Sequence, residues 1–204
     1  MENIESNLNP DEKRKVLQEF NHRLNNDLQA LMAFIKLQKR FGIDNEEIIN
    51  FSYVSIASIS SIQNLMYKTD DENNLISTNG FFREFIKVLE DYYIKSNAIF
   101  SVEIENDFHL NPKKMFHLML LCNEMVNLSL NHPKEIPEKK ISFNLENIGE
   151  ECLLIYCDNG LGINEKISKT DVKKVIFEQL IKQLDGTLDE SSKDSTVSLK
   201  FSTD

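Results

Sequence analysis

His22 stands in the string Glu19-Phe20-Asn21-His22-Arg23-Leu24-Asn25-Asn26-Asp27-Leu28-Gln29. On a helix, a carboxylate three residues back and an amide four residues on share one face with the imidazole. A neutral imidazole keeps a nitrogen lone pair and can act as a nucleophile. The carboxylate of Glu19 could orient the ring or hold its proton, and the amide of Asn26 could hydrogen-bond a phosphoryl group. Taken alone the set is weak, because a single surface histidine is usually inert. The other histidines, His109, His117 and His132, are scattered without zinc-ligand spacing and read as structural, so no metal site is expected. Cys122, Cys152 and Cys157 are an odd number without metal spacing and read as reduced, mostly buried thiols of a cytoplasmic protein. A second string, Cys157-Asp158-Asn159-Gly160-Leu161-Gly162-Ile163, follows a strand pattern, and its glycines permit a tight backbone turn.

These residues sit in a chain of 204 residues with 33 acidic and 23 basic side chains, net charge -10. That balance argues against a nucleic-acid partner. No apolar run reaches the roughly 20 residues that span a bilayer, and the polar stretch Met1 to Arg14 is no secretory signal. Six glycines and four prolines point to long regular elements. From about Asp11 to Phe41, Leu17, Leu24, Leu28, Leu31 and Ile35 recur at helical steps, which turns His22 outward. Gly42 ends this helix, and Asp44, Glu46 and Glu47 open a second, from about Asn45 to Lys68, with Ile48, Ile56, Ile59, Ile62 and Met66 in line. A lone hairpin leaves its apolar face bare, and pairing with a second copy into a four-helix bundle would cover it.

Polar residues Thr69 to Thr78 mark a boundary between a hairpin domain, residues 1–70, and a second domain, residues 77–204. The second reads as helix (Phe81–Lys95), strand (Ala98–Glu105), helix (Pro112–Asn131, capped by Asn111), a strand hairpin (Lys140–Leu145 and Cys152–Cys157), helix (Thr170–Leu184) and strand (Ser195–Phe201). The fold class expected is α+β: a helical hairpin forming a dimeric bundle, then a two-layer α/β sandwich. Phe81, Phe82, Tyr92 and Tyr93 read as core and rim aromatics.

His22-Arg23-Leu24-Asn25-Asn26-Asp27-Leu28-Gln29, followed by Leu37-Gln38, resembles the phosphoacceptor helix of two-component sensor histidine kinases. The subfamily pattern is Glu-x-x-His-Arg-x-x-Asn-x-Leu-Gln, then Leu-Gln. The resemblance runs from about Lys13 to Tyr67 and implies a dimerisation and phosphotransfer hairpin in which His22 carries the phosphoryl group. The second half resembles the GHKL ATP-binding domain of the same kinases. In that family the Asp of the Asp-x-Gly-x-Gly loop, here Asp158, accepts from the adenine amino group, and glycines, here Gly160 and Gly162, let the backbone approach the nucleotide. Asn123 to His132 resembles the family's N box, with Glu124 at its head.

Departures from the pattern give the functional expectation. Leu128 stands where the family has its metal-binding Asn, and leucine cannot ligate Mg²⁺. Asn127 would point about 100° away around the helix. Lys169 to Val175 has no glycine where the family's second Gly-rich loop would be, and the span from Ile163 to Asp171 is short for an ATP lid. Asp158, Gly160, Gly162 and Glu124 therefore read as a vestigial nucleotide site. The resemblance implies a phosphorelay histidine phosphotransferase. His22 takes a phosphoryl group from one response-regulator receiver and passes it to another; Arg23 and Asn26 hold the phosphoryl oxygens and Glu19 poises the ring. Such a protein would be a cytoplasmic homodimer with no cofactor of its own, Mg²⁺ coming from the receiver. With the phosphoacceptor helix at its start, the chain would leave no room for a sensor or a membrane anchor. Two alternatives stay open: a soluble ATP-dependent histidine kinase with a divergent nucleotide site, and a non-enzymatic receiver-docking protein.

Overall fold

Two long helices without internal Pro or Gly open the chain: α1 (Pro10–Arg40) and α2 (Asn45–Met66). Their turn is set by Gly42 at φ 74°, with Gly42 N–H donating to the Lys39 carbonyl and Ile43 N–H to that of Gln38. This paired closure suits a glycine in the left-handed region. Asp44 accepts from the Glu46 N–H at 2.8 Å and starts α2. The computed structural model describes residues 10–66, 75–131, 136–160, 171–188 and 195–203.

After the hairpin come β1 (Ile76–Ser77), α3 (Thr78–Tyr92), β2 (Ala98–Ile104), β3 (His109–Leu110), α4 (Pro112–Leu130), β4 (Lys139–Ile148), β5 (Glu151–Asp158), α5 (Asp171–Gln183), β6 (Thr187–Leu188) and β7 (Thr196–Ser202). Five strands form one sheet in the order β2-β4-β5-β7-β6, with β2 parallel to β4 and the other pairs antiparallel. Period-two alternation buries Ile141, Phe143 and Leu145 of β4, Leu154 and Tyr156 of β5, and Val197, Leu199 and Phe201 of β7 on one face. The helices cover that face, giving the two-layer sandwich expected.

Three boundaries differ from the sequence expectation. α3 starts at Thr78 rather than Phe81, because Asp107, thirty residues away in sequence, accepts from the Asn79 N–H at 2.9 Å and from the Ser77 and Thr78 hydroxyls. It also ends at Tyr92, where a 3₁₀ turn, Ile94–Ser96, and left-handed Asn97 take over. The β4–β5 turn is Gly149-Glu150, not Asn147-Ile148-Gly149, since Asn147 and Ile148 still pair with Cys152 and Glu151. Gly149 at φ 73° meets the need of a two-residue hairpin for positive φ.

The apolar face of α2 is covered within the chain. Phe51, Val54, Ile59 and Ile62 are buried, and α2 packs on α3 and α4. Of the expected apolar line, Ile48, Ile59, Ile62 and Met66 are covered in this way, whereas Ile56 stays exposed with Ile49, Tyr53 and Met32 of the hairpin. Sandwiched between sheet and hairpin, α4 is buried from Lys114 to Leu130, which is why its sequence is apolar all round. Phe81, Phe82, Phe85 and Tyr93 are core, while Tyr92 sits at the rim, edge-on to Tyr93.

Candidate functional site

His22 is exposed on α1, as the heptad spacing predicts. Its Nδ1 lies 3.1 Å from Asn26 Nδ2, one turn on. An amide presents nitrogen or oxygen at the same place by rotating 180°, so Asn26 can either donate to Nδ1 or accept its proton. Glu19 is not on the ring. Its carboxylate pairs with the Arg23 guanidinium, also one turn on. Four residues expected to act together thus form two i,i+4 pairs, His22 with Asn26 and Glu19 with Arg23.

The second group of expected residues lies at the far end of α4. Asp158, the last residue of β5, is buried, and both its oxygens are engaged: Oδ2 accepts from the Ser129 hydroxyl at 2.5 Å and Oδ1 from the Gly160 N–H at 2.7 Å. Gly160 is needed for this turn, since a Cβ there would come 2.8 Å from Asp158 Oδ1. The Tyr156 hydroxyl adds a 2.7 Å bond to the Ser129 oxygen, closing a buried chain of hydroxyls onto the carboxylate. Leu128 is 3% exposed and offers no oxygen. Gly162 and His132 lie outside the described residues, as do the positions between Ile163 and Thr170.

Glu124 does not face an open cleft. It is 2% exposed and accepts from Gln38 Nε2 of α1 at 3.3 Å. Asn123 donates to the Phe51 carbonyl and the Ser55 hydroxyl of α2, both at 2.8 Å, and Asn127 donates to the Glu47 carbonyl at 3.2 Å. Lys173 of α5 pairs with Glu47 at 2.6 Å. The polar side of the N-box-like helix is thus engaged by the hairpin. Burial, the largest influence, lifts Glu124 from 4.5 to about 7; Lys173 opposes this and Glu47 adds to it.

Sequence reasoning named Gln38, Asn123 and Ser129 only as parts of motifs, and it gave Lys173 no role. One signal was legible: Asn123, Glu124 and Asn127 interrupt a helix apolar on every side, and polar groups in such a helix need partners. Apart from Asn131, one turn on, which donates to Asn127, nothing local names those partners, which lie 68 to 86 positions away. Among the described residues, no group of His, Cys, Asp and Glu could hold a metal ion. Also among them, no helix is long and apolar enough to cross a membrane.

Comparison with known proteins gives a consistent picture. The HisKA_2 family, described as histidine kinase, matches residues 19–93. No curated protein matches the chain. Among solved structures, the histidine kinase domain from the Erythrobacter litoralis EL346 blue-light activated histidine kinase is similar, with TM-score 0.66 and 13% identity over 91% of this chain and 96% of that one. The longer Erythrobacter litoralis EL346 protein gives TM-score 0.61 and 16% identity over 92% of this chain and 62% of that one. The Acinetobacter baumannii histidine kinase AdeS gives 0.50 and 13% over 90% and 98%. At these identities the likeness is one of fold.

Proposed function

We propose, from the match of residues 19–93 to the HisKA_2 family described as histidine kinase, that the chain is a histidine phosphotransferase of a two-component relay, with His22 as the phosphoryl carrier. The observation that carries the reading is an exposed imidazole with Nδ1 held by Asn26 and no bond at Nε2 among the described residues. With the Asn26 oxygen turned to the ring, Nδ1 keeps the proton and Nε2 presents its lone pair. Nε2 attacks the phosphorus of an aspartyl phosphate on a receiver domain. The N–P bond forms, the bond between phosphorus and the aspartyl oxygen breaks, and the carboxylate leaves with its electron pair. The ring becomes a phosphoimidazolium whose Nδ1 proton Asn26 holds, and the reverse step on a second receiver returns neutral His22. On this reading Arg23 meets phosphoryl oxygens after letting go of Glu19. Positioning and charge stabilisation do most of the work in such transfers. A receiver is the source of phosphate and of any Mg²⁺.

Three observations favour this over an ATP-dependent kinase. Asp158 is engaged by Ser129 and Gly160, position 128 is an apolar leucine, and Asn123, Glu124 and Asn127 are engaged by the hairpin. On our reading these residues do not fit a nucleotide with its metal. One feature keeps the kinase reading alive as the second choice, since Asp158 and Gly160 retain the strand-end turn of the ATP-binding fold. The test is a labelling experiment on the purified chain in two arms. Receiver domains charged with labelled phosphate should transfer acid-labile, base-stable label to the wild type and none to His22→Ala. Labelled ATP with Mg²⁺ alone should give none. Label on His22→Ala would overturn the carrier assignment, label from ATP alone would establish the kinase, and receiver binding without transfer would leave a docking protein.

A further inference from the structure

Between α1, the first turn of α4 and the end of α5 lies a cavity of about 490 Å³ that neither the phosphoacceptor nor the strand-end turn accounts for. α1 lends it Arg23, Asn26 and Asp27; α4 lends Lys113 and His117; α5 lends Gln183. His117 is 7% exposed, and its Nδ1 is buried without a well-formed hydrogen bond, although the Lys113 backbone lies near the ring. A buried polar atom left this way is costly unless a ligand or water completes it. The Lys113 ammonium has no carboxylate partner among the described residues. Asn111 caps the Lys114 N–H at 2.9 Å and Pro112 has none, so the Lys113 N–H is the donor left open at this positive helix end.

We propose that this cavity binds a small protonated oxyanion of the phosphate or phosphomonoester class, seated on Lys113, His117 and the start of α4, and that its occupancy reaches His22 through Arg23 and Asn26. A cation would meet Lys113, Arg23 and the positive helix end. An apolar molecule would leave His117 and Asp27 without partners. Hydrogen phosphate or a phosphomonoester supplies oxygens for the cationic side and an O–H for Asp27. That proton matters because Asp27 faces the same space: burial lifts its carboxyl to about 6, while Arg23 pulls the other way. Burial and then the Lys113 charge hold His117 down to about 4, offset in part by the Lys113 backbone, so near neutral pH the ring is an uncharged donor or acceptor. The charged and titratable groups lining the cavity are Arg23 and Asp27 from α1 and Lys113 and His117 from α4; Gln183 from α5 is neutral. Affinity for either anion should therefore rise as pH falls through 6, where Asp27 takes up its proton and stops repelling it, and inorganic phosphate should outbind sulfate most clearly at pH 8, where Asp27 is ionised and only hydrogen phosphate has a proton to give.

The link to His22 rests on the phosphotransfer reading, but the site is tested without a receiver, so either idea can fail alone. Nitrogen-15 NMR of the full chain follows titration with inorganic phosphate, glycerol phosphate and sulfate at pH 6 and 8. Saturable shifts at Arg23, Lys113 and His117, weakened about tenfold by Lys113→Ala at unchanged melting temperature, are expected. The tighter of the two phosphates identifies the source class. The proposal is overturned if nothing saturates up to about 20 mM, if Lys113→Ala and His117→Gln bind as the wild type does, or if sulfate matches phosphate at both pH values.

Discussion

Replacing Glu124 with Gln should make the protein more stable at pH 8. Glu124 of α4 is buried against α1 and accepts one hydrogen bond among the described residues, from Gln38 Nε2 at 3.3 Å. Gln38 Oε1, also buried, has no partner. A carboxyl lifted from 4.5 to about 7 binds its proton more tightly in the folded than in the unfolded chain. Its contribution to stability is fully present below pH 4.5 and is lost progressively up to about pH 7, because the unfolded chain ionises first. At about 1.4 kcal/mol per pH unit the whole window amounts to roughly 3 kcal/mol, an upper bound that Lys173 and local relaxation reduce. Gln carries no charge to desolvate, and its NH₂ can donate to the orphaned Gln38 oxygen. Urea unfolding of both proteins at pH 5, 6, 7 and 8 should give curves that lie close together at pH 5 and separate by about 1–3 kcal/mol in favour of Glu124→Gln at pH 8. Parallel stability–pH profiles, or a variant weaker at pH 8, would refute the assignment of Glu124 as the strained group of this interface.

Other substitutions probe the remaining contacts. Asp107→Ala removes the long-range cap of α3 and should lower stability by about 1 kcal/mol in urea unfolding near pH 7. Burial opposes the Asp107 charge, but the Asn79 N–H, the Ser77 and Thr78 hydroxyls and His109 together hold its carboxyl below 3.8. The loss in Asp107→Ala should therefore be full above that value and vanish as pH falls through the lowered one. Leu128→Asn puts an amide at a site 3% exposed; it should cost about 2–4 kcal/mol and yield no MgATP binding by calorimetry. Asn26→Ala should slow phosphoryl uptake from a charged receiver about tenfold or more, with circular dichroism and melting temperature unchanged.

Much of this architecture was readable because its signals are local. The 31-residue helix α1 shows its periodicity within any two turns, Asn111-Pro112 writes its own cap, and β4 and β5 alternate as strands with one wet face do. Outward-facing His22 and its bond to Asn26 follow from 3.6-residue geometry alone. What could not be read is whatever depends on residues distant in sequence. The first turn of α3 is held by Asp107, the engagement of Glu19 with Arg23 rather than His22 is a choice between an i,i+4 and an i,i+3 spacing, and the cover on α2 comes from α3 and α4. The pattern shows that the apolar face of α2 needs cover and is silent on whether a second copy or the same chain supplies it.

One helix links these facts into a constraint on mechanism. α4 places His117 beside Asp27 near its start and Glu124 beside Gln38 further on, so it runs parallel to α1. His22 therefore lies toward the start of α4, whereas Ser129 and Asp158 lie at its end. Twelve residue steps of helix from His117 to Ser129 separate the two regions by about 18 Å. A phosphoryl group bound near Asp158 could reach His22 of the same chain only if the hairpin swung away from the sandwich. That motion would break the bonds of Asn123 to Phe51 and Ser55, of Asn127 to Glu47, and of Glu124 to Gln38, together with the Lys173–Glu47 pair. It would also expose the apolar cover of α2, including Phe51 and Val54, which are wholly buried. Each such side chain is worth about 1.5–3 kcal/mol, so the closed arrangement holds the hairpin with His22 directed outward, where a phosphoryl donor on another protein meets no such barrier.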